Sequence, residues 1–90
     1  MTEVTREVRI ENRRGLHARA SAKFVNLASS LPAEIEVTKD GNAVCGTSIM
    51  GLMMLGAAMG DTILIRVTGE SADEALEQLV ALVEERFGED

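Results

Sequence analysis

In its 90 residues the chain has no tryptophan and no tyrosine, two phenylalanines, one cysteine, one proline and one histidine. Without large aromatics, the core has to be built from Leu, Ile, Val, Ala and Met. Bases are outnumbered by acids, 9 against 15 for a net charge of −6, and no aromatic side chains interleave them. This excludes nucleic-acid binding as the main role. The lone Cys45 cannot close an internal disulfide, which suits a reducing compartment, and nothing around it looks built to lower a thiol pKa. With no second cysteine or histidine, a zinc site is not expected. No window approaches the ~18 apolar residues of a membrane span, and the opening residues lack the charged-then-apolar pattern of an export signal. The expectation is a soluble, cytoplasmic, monomeric protein without metal or cofactor, folded as one small domain over residues 1–90 with no linker, repeat or low-complexity segment.

What is present reads as seven elements. From Val4 to Ile10, loose alternation puts Val8 and Ile10 on one face of a strand and Arg9 on the other. Residues 12–16 form a loop in which Gly15 allows an anion to approach the main chain. Ala20, Phe24, Leu27, Ala28 and Leu31 fall at helical spacing, and Pro32 stops that helix. Residues 34–38 alternate strictly, Asp40-Gly41 is a hairpin signal, and a return strand over 42–46 would set Val44 opposite Val37 with Cys45 pointing outward. A short helix follows, capped by Ser48 and ending near Gly56. Leu52 and Leu55 turn inward from it, leaving Ile49, Met50 and Met53 as an exposed cluster that is either a contact surface or irregular core filling. Residues 62–68 make the clearest strand. Ser71-Ala72-Asp73-Glu74 reads as a capping box, and the last helix carries Ala75, Leu76, Leu79, Val80, Val83 and Phe87 as its apolar stripe. The simplest way to bury these stripes is an α+β two-layer domain, a single antiparallel sheet with helices on one face.

His17 stands where the strand pattern gives way to the first helical one, between Leu16 and Ala18 with Arg19 two residues on. A helix start offers unpaired amides and partial positive charge to an anion. Imidazole is largely unprotonated at neutral pH and is nucleophilic, so attack on an activated phosphoryl donor would give a reactive phosphoramidate. Arg19 adds a planar fork of charged donors, and Arg13 and Arg14 raise the local positive potential. The residues alone leave His17 open to two readings, a capping surface residue or a nucleophile.

The stretch Gly15-Leu16-His17-Ala18-Arg19-Ala20 resembles the phosphorylation motif of the HPr family, the histidine-containing phosphocarriers of the bacterial phosphoenolpyruvate-dependent phosphotransferase system. The segment 47–55, Thr-Ser-Ile-Met-Gly-Leu-Met-Met-Leu, resembles that family's regulatory serine segment, and the separation of the two motifs and the element order match as well. Ala20 stands where the family usually has proline, and Thr47 where a basic residue often precedes the serine. The resemblance implies an open-faced β-sandwich of four antiparallel strands and three helices, ordered βαββαβα. It implies that His17 accepts a phosphoryl group on Nδ1 from phosphorylated enzyme I and donates it to an enzyme IIA-type domain, with Arg19 helping to hold the phosphate. The protein would then be a stoichiometric carrier rather than an enzyme. By the same resemblance Ser48 would be modified by an HPr kinase/phosphorylase, and Ile49, Met50, Met53 and Lys23 would belong to the partner-docking surface.

Other classes predict different behaviour. A purely regulatory HPr-like module would bind partners or an anionic metabolite without phosphotransfer. An acylphosphatase-like hydrolase would use an arginine-centred anion site, but the glycine-rich loop ending in Phe-Arg that such enzymes carry is absent here.

Overall fold

The computed structural model describes residues 2–89. The elements run β1 (Glu3–Arg9), α1 (Ala18–Ser29), β2 (Ala33–Lys39), β3 (Asn42–Cys45), α2 (Ile49–Met54), β4 (Thr62–Gly69) and α3 (Ala72–Glu84), followed by a short 3₁₀ turn over Arg86–Gly88. The four strands form one antiparallel sheet in the order β1-β4-β2-β3, with Val8 opposite Ile63, Ile35 opposite Val67, and Val37 opposite both Ile65 and Val44. This is the expected βαββαβα open-faced sandwich.

Strand alternation decides which face the helices cover. Val8, Ile35, Val37, Ile63, Ile65 and Val67 all point to one side and are buried there. Against them lie Ala20, Phe24 and Ala28 of α1, Leu52 of α2, and Ala75, Leu76, Leu79, Val80 and Val83 of α3, making one continuous aliphatic core. Each large side chain so buried contributes about 1.5–3 kcal/mol, which is how a chain with two aromatics still closes a core. The other face of the sheet is open and charged. Across it Arg66 bridges Glu3 on β1 at 3.4 Å and Glu36 on β2 at 3.2 Å.

Local chemistry sets the connections. Asp40 and Gly41 both take positive φ, 50° and 83°, as a two-residue hairpin turn of the right-handed-twist type requires. The helix α1 ends two residues before Leu31, and Pro32 follows.

Two expectations are corrected. Ser71 precedes α3 but adopts a left-handed backbone, φ 55° and ψ 32°, and makes no side-chain cap bond. A capping hydroxyl needs an extended backbone to reach back to the first-turn amides, so the capping box does not form. Asp73 and Glu74 still place negative charge in the first turn of α3, where the helix dipole favours it. Phe87 is fully buried as expected, yet it is not part of α3. The helix stops at Glu84, and Arg86 and Phe87 both turn left-handed, with φ 59° and 55°. This reversal sends the chain end back across α1 instead of onward along the helix axis.

Candidate functional site

The loop between β1 and α1 is fixed by its own backbone. Gly15 sits at φ +65°, and a Cβ there would run into the carbonyl oxygen of Ala57 and come within 2.8 Å of Ala58 Cα. Only glycine lets the two backbones meet so closely, and the contact is sealed by the Leu16 amide donating to Ala57 O at 2.9 Å. Held in this way, His17 takes the N-cap position of α1, with extended backbone (φ −74°, ψ 179°) and its carbonyl accepting from the Ser21 amide at 2.9 Å. Buried Ser21 ties the same junction from inside, donating its hydroxyl to Leu16 O at 3.2 Å.

The imidazole is engaged on both nitrogens. The Arg19 amide points at Nδ1 from 3.3 Å, and Nε2 lies 3.0 Å from each carboxylate oxygen of Glu89. A carboxylate can only accept, so the ring proton sits on Nε2 and Nδ1 carries a lone pair facing the open turn of α1. The first amides of a helix have no intrahelical carbonyl to bond, so the Arg19 amide now on Nδ1 is able to turn to a negatively charged group placed there. The His17 side chain is 12% exposed and Arg19 is 66% exposed, with its Nε 3.9 Å from Glu89 Oε2. Arg19 therefore stands at the rim, free to swing, while the ring is fixed.

Glu89 reaches the ring because of the reversed chain end. The amides of Gly88 and Glu89 donate to the carbonyls of Glu85 and Arg86 at 3.1 and 3.0 Å, Phe87 fills the core beneath, and Lys23 Nζ donates to Phe87 O at 2.6 Å. Hydrogen bonds from His17 and then from Asn12, with the positive charge of Arg19 nearby, hold the Glu89 carboxyl below the ordinary glutamate range. Asn12 is fully buried: its Nδ2 donates to Gly15 O at 2.8 Å and to Glu89 Oε1 at 2.9 Å, while its Oδ1 has no partner among the described residues. An orphaned buried carbonyl of this kind costs about 1–3 kcal/mol.

Of the residues singled out from the sequence, His17 and Arg19 converge, and Lys23 lies on the same helix but is occupied by the Phe87 carbonyl. Ser48 caps α2, its Oγ accepting from the Gly51 amide at 2.9 Å. Leu52 and Leu55 are buried, whereas Ile49, Met50 and Met53 are exposed, and Met54 and Met59 extend the apolar surface beyond the expected three. Helix α2 packs on α1, so this surface adjoins the helix that carries His17. Sequence reasoning missed Glu89 and Asn12. Cys45 is exposed on the edge strand as expected, but the Thr47 hydroxyl, 3.0 Å from Sγ, and the Thr47 backbone hold its thiol below the ordinary range. The expectation that nothing acts on that thiol is corrected accordingly. A depression of about 600 Å³ lies on the open sheet face between Glu36, Ala43, Cys45 and Arg66, away from His17. The His17 side chain, 12% exposed, lies outside that depression. Among the described residues, no helix is long and apolar enough to cross a membrane.

An open-faced α+β sandwich with a histidine seated at the start of its first helix defines a phosphocarrier-type domain. The sequence profile described as the PTS HPr component phosphorylation site matches residues 4–85. The chain is 43% identical over 84 residues to the phosphocarrier protein HPr of Cupriavidus necator, covering 93% of this chain and 94% of that one. It is also 43% identical over 89 residues to the phosphocarrier protein NPr of Shewanella violacea, covering 99% and 98%. The crystal structure of an HPr from Thermoanaerobacter tengcongensis superposes with a TM-score of 0.89 at 43% identity, covering 100% of this chain and 99% of that one. The chain belongs to the HPr family of the phosphotransferase system.

Proposed function

We propose that this protein carries phosphoryl groups on Nδ1 of His17, taking each from phosphorylated enzyme I and delivering it to an enzyme IIA-type domain. The observation that carries the proposal is the pair of contacts that commits the ring proton to Nε2 and aims Nδ1 at the start of α1. In the forward step the Nδ1 lone pair attacks phosphorus. The bond from phosphorus to the donor breaks, and its electron pair leaves with the donor. The His17 ring, still protonated on Nε2, becomes a cation, and the Glu89 carboxylate 3.0 Å away stabilises it without taking the proton. The first-turn amides, beginning with that of Arg19, receive the phosphoryl oxygens, and the exposed guanidinium of Arg19 closes over them. The second step reverses these events toward the acceptor, so the chain is consumed and regenerated rather than turning over substrate.

The docking surface for both partners is the apolar face of α2, with Ile49, Met50 and Met53 at its centre, and Lys23 belongs to it from the neighbouring helix α1, where its Nζ is bonded to Phe87 O. Methionine suits a surface that must fit more than one partner, because its flexible, polarizable chain repacks. Ser48 is the regulatory position, open to an HPr kinase/phosphorylase. A phosphate there adds about −1.5 to −2 charge at an N-cap, which the helix tolerates, beside an apolar patch, which does not welcome it.

Incubation with enzyme I, Mg²⁺ and phosphoenolpyruvate tests the proposal. Acid-labile phosphate should accumulate to one per chain, and a His17→Ala variant should take none. Equal labelling of that variant would refute the assignment.

A further inference from the structure

We infer that Asn12 is the positioning residue that locks Glu89 onto His17, and that through this lock it keeps the acceptor nitrogen Nδ1 free of its proton. The inference rests on the carrier reading above and adds a residue 77 positions away in sequence from the carboxylate it holds.

The carboxamide admits one orientation. Both groups facing Nδ2, Gly15 O at 2.8 Å and Glu89 Oε1 at 2.9 Å, are acceptors, so each takes one of its two hydrogens. Flipping the amide would press Oδ1 against a carbonyl and a carboxylate. The cost of the observed orientation is an Oδ1 with no partner in a side chain that is wholly buried. A side chain kept inside the fold with half its polar atoms unsatisfied is kept for the other half, here the two donors.

Those donors tie together the two segments that define the site. One fixes the loop carbonyl at Gly15, which itself accepts from the His17 amide at 2.9 Å and so sets the N-cap. The other engages Glu89 Oε1, the oxygen that also faces His17 Nε2 at 3.0 Å, and stops the carboxylate rotating. Without Asn12, the contacts left to the Glu89 carboxylate among the described residues are the ring itself and Arg19 at 3.9 Å. An imidazole with no fixed acceptor on Nε2 distributes its proton between both nitrogens, and the tautomer protonated on Nδ1 has no lone pair there to attack with.

The test compares the unmodified protein with Asn12→Ala, Glu89→Gln and the double variant, reading the ring ¹⁵N shifts of His17, the titration of the Glu89 carboxyl, and the rate of phosphoryl acceptance from enzyme I. Asn12→Ala should raise the Nδ1-protonated tautomer and move the Glu89 titration upward toward the ordinary glutamate range. Acceptance should slow on the order of three- to tenfold, the effect of one lost hydrogen bond. The double variant should be no slower than the slower single variant, because both act through one contact. A folded Asn12→Ala protein with unchanged tautomer and unchanged Glu89 titration overturns the inference, as does a double variant whose loss is the product of the two single losses. Should Asn12→Ala fail to fold, the unmodified protein decides. Its Asn12 side-chain amide protons should shift as Glu89 is protonated, and their indifference would overturn the lock. If the unmodified protein accepts no phosphoryl group at all, the carrier reading fails, while the tautomer and titration arms still decide whether Asn12 holds Glu89.

Discussion

Glu89 places both of its carboxylate oxygens 3.0 Å from Nε2 of His17, across 72 residues of sequence. The contact determines which ring nitrogen is nucleophilic, and it exists only because the chain reverses after α3. A phosphoryl group on Nδ1 would strengthen it, since the ring then carries positive charge toward the carboxylate. On the proposed carrier reading, the same residue orients the resting ring and steadies the loaded one.

This contact gives stability a defined pH dependence. Glu89 is depressed in the folded protein, chiefly by its hydrogen bond from His17, so its contribution is present above the ordinary glutamate value of 4.5 and is lost as pH falls through the lower folded value. Chemical denaturation of Glu89→Gln and of the unmodified protein, measured from neutral pH down through that range, should show a shallower acid loss for the variant. Parallel curves would mean the contact does not form in solution.

Gly15 is the position where the loop leaves no room for a side chain. Gly15→Ala combines a left-handed residue with a backbone collision at Ala57 and Ala58. It should destabilise the fold by at least about 2 kcal/mol. For a domain of this size that is a fall in Tm of roughly 10 °C or more, readable by thermal denaturation.

Substitutions at Ser48 separate its capping role from the proposed regulatory one. Ser48→Ala removes the acceptor for the Gly51 amide and should cost about 1 kcal/mol of stability while leaving phosphotransfer largely intact. Ser48→Asp retains a cap and adds a charge, so stability should hold while transfer to and from partners slows. If Ser48→Asp transferred at the unmodified rate, charge at this position would not regulate docking.

The apolar surface makes a prediction of the opposite kind. Met50, 72% exposed, contributes little to the core, so Met50→Glu should change stability by no more than about 0.5 kcal/mol. The rate of transfer from enzyme I should nonetheless fall by on the order of tenfold, because the proposed docking would bury that charge against the partner. Stopped transfer assays alongside denaturation would show whether the two effects separate in this way.

Much of this was legible in the sequence because the relevant signals are local. The Asp40-Gly41 pair names its own turn, the alternation of Ile63, Ile65 and Val67 names the buried face, and Ser48 sits where a cap belongs before an apolar run. The His17 to Arg19 half of the site was readable for the same reason. Glu89 was not, since Val83 and Phe87 fall at helical spacing and imply a helix running on, whereas Arg86 and Phe87 break left-handed without a glycine or asparagine to announce it. Gly88 immediately afterwards was the one available hint. Asn12 reads as an ordinary polar loop residue, because the carboxylate it bonds lies 77 positions away, and Ser71 matched a capping pattern whose backbone condition no sequence displays.

The central claim concerns a single nitrogen, so the most direct measurement is ¹⁵N and ³¹P spectroscopy of the protein after phosphoryl transfer from enzyme I. The account predicts phosphorus bonded to Nδ1 of His17 with the proton retained on Nε2 and directed at Glu89. Phosphorus on Nε2, or on any other residue, would contradict it.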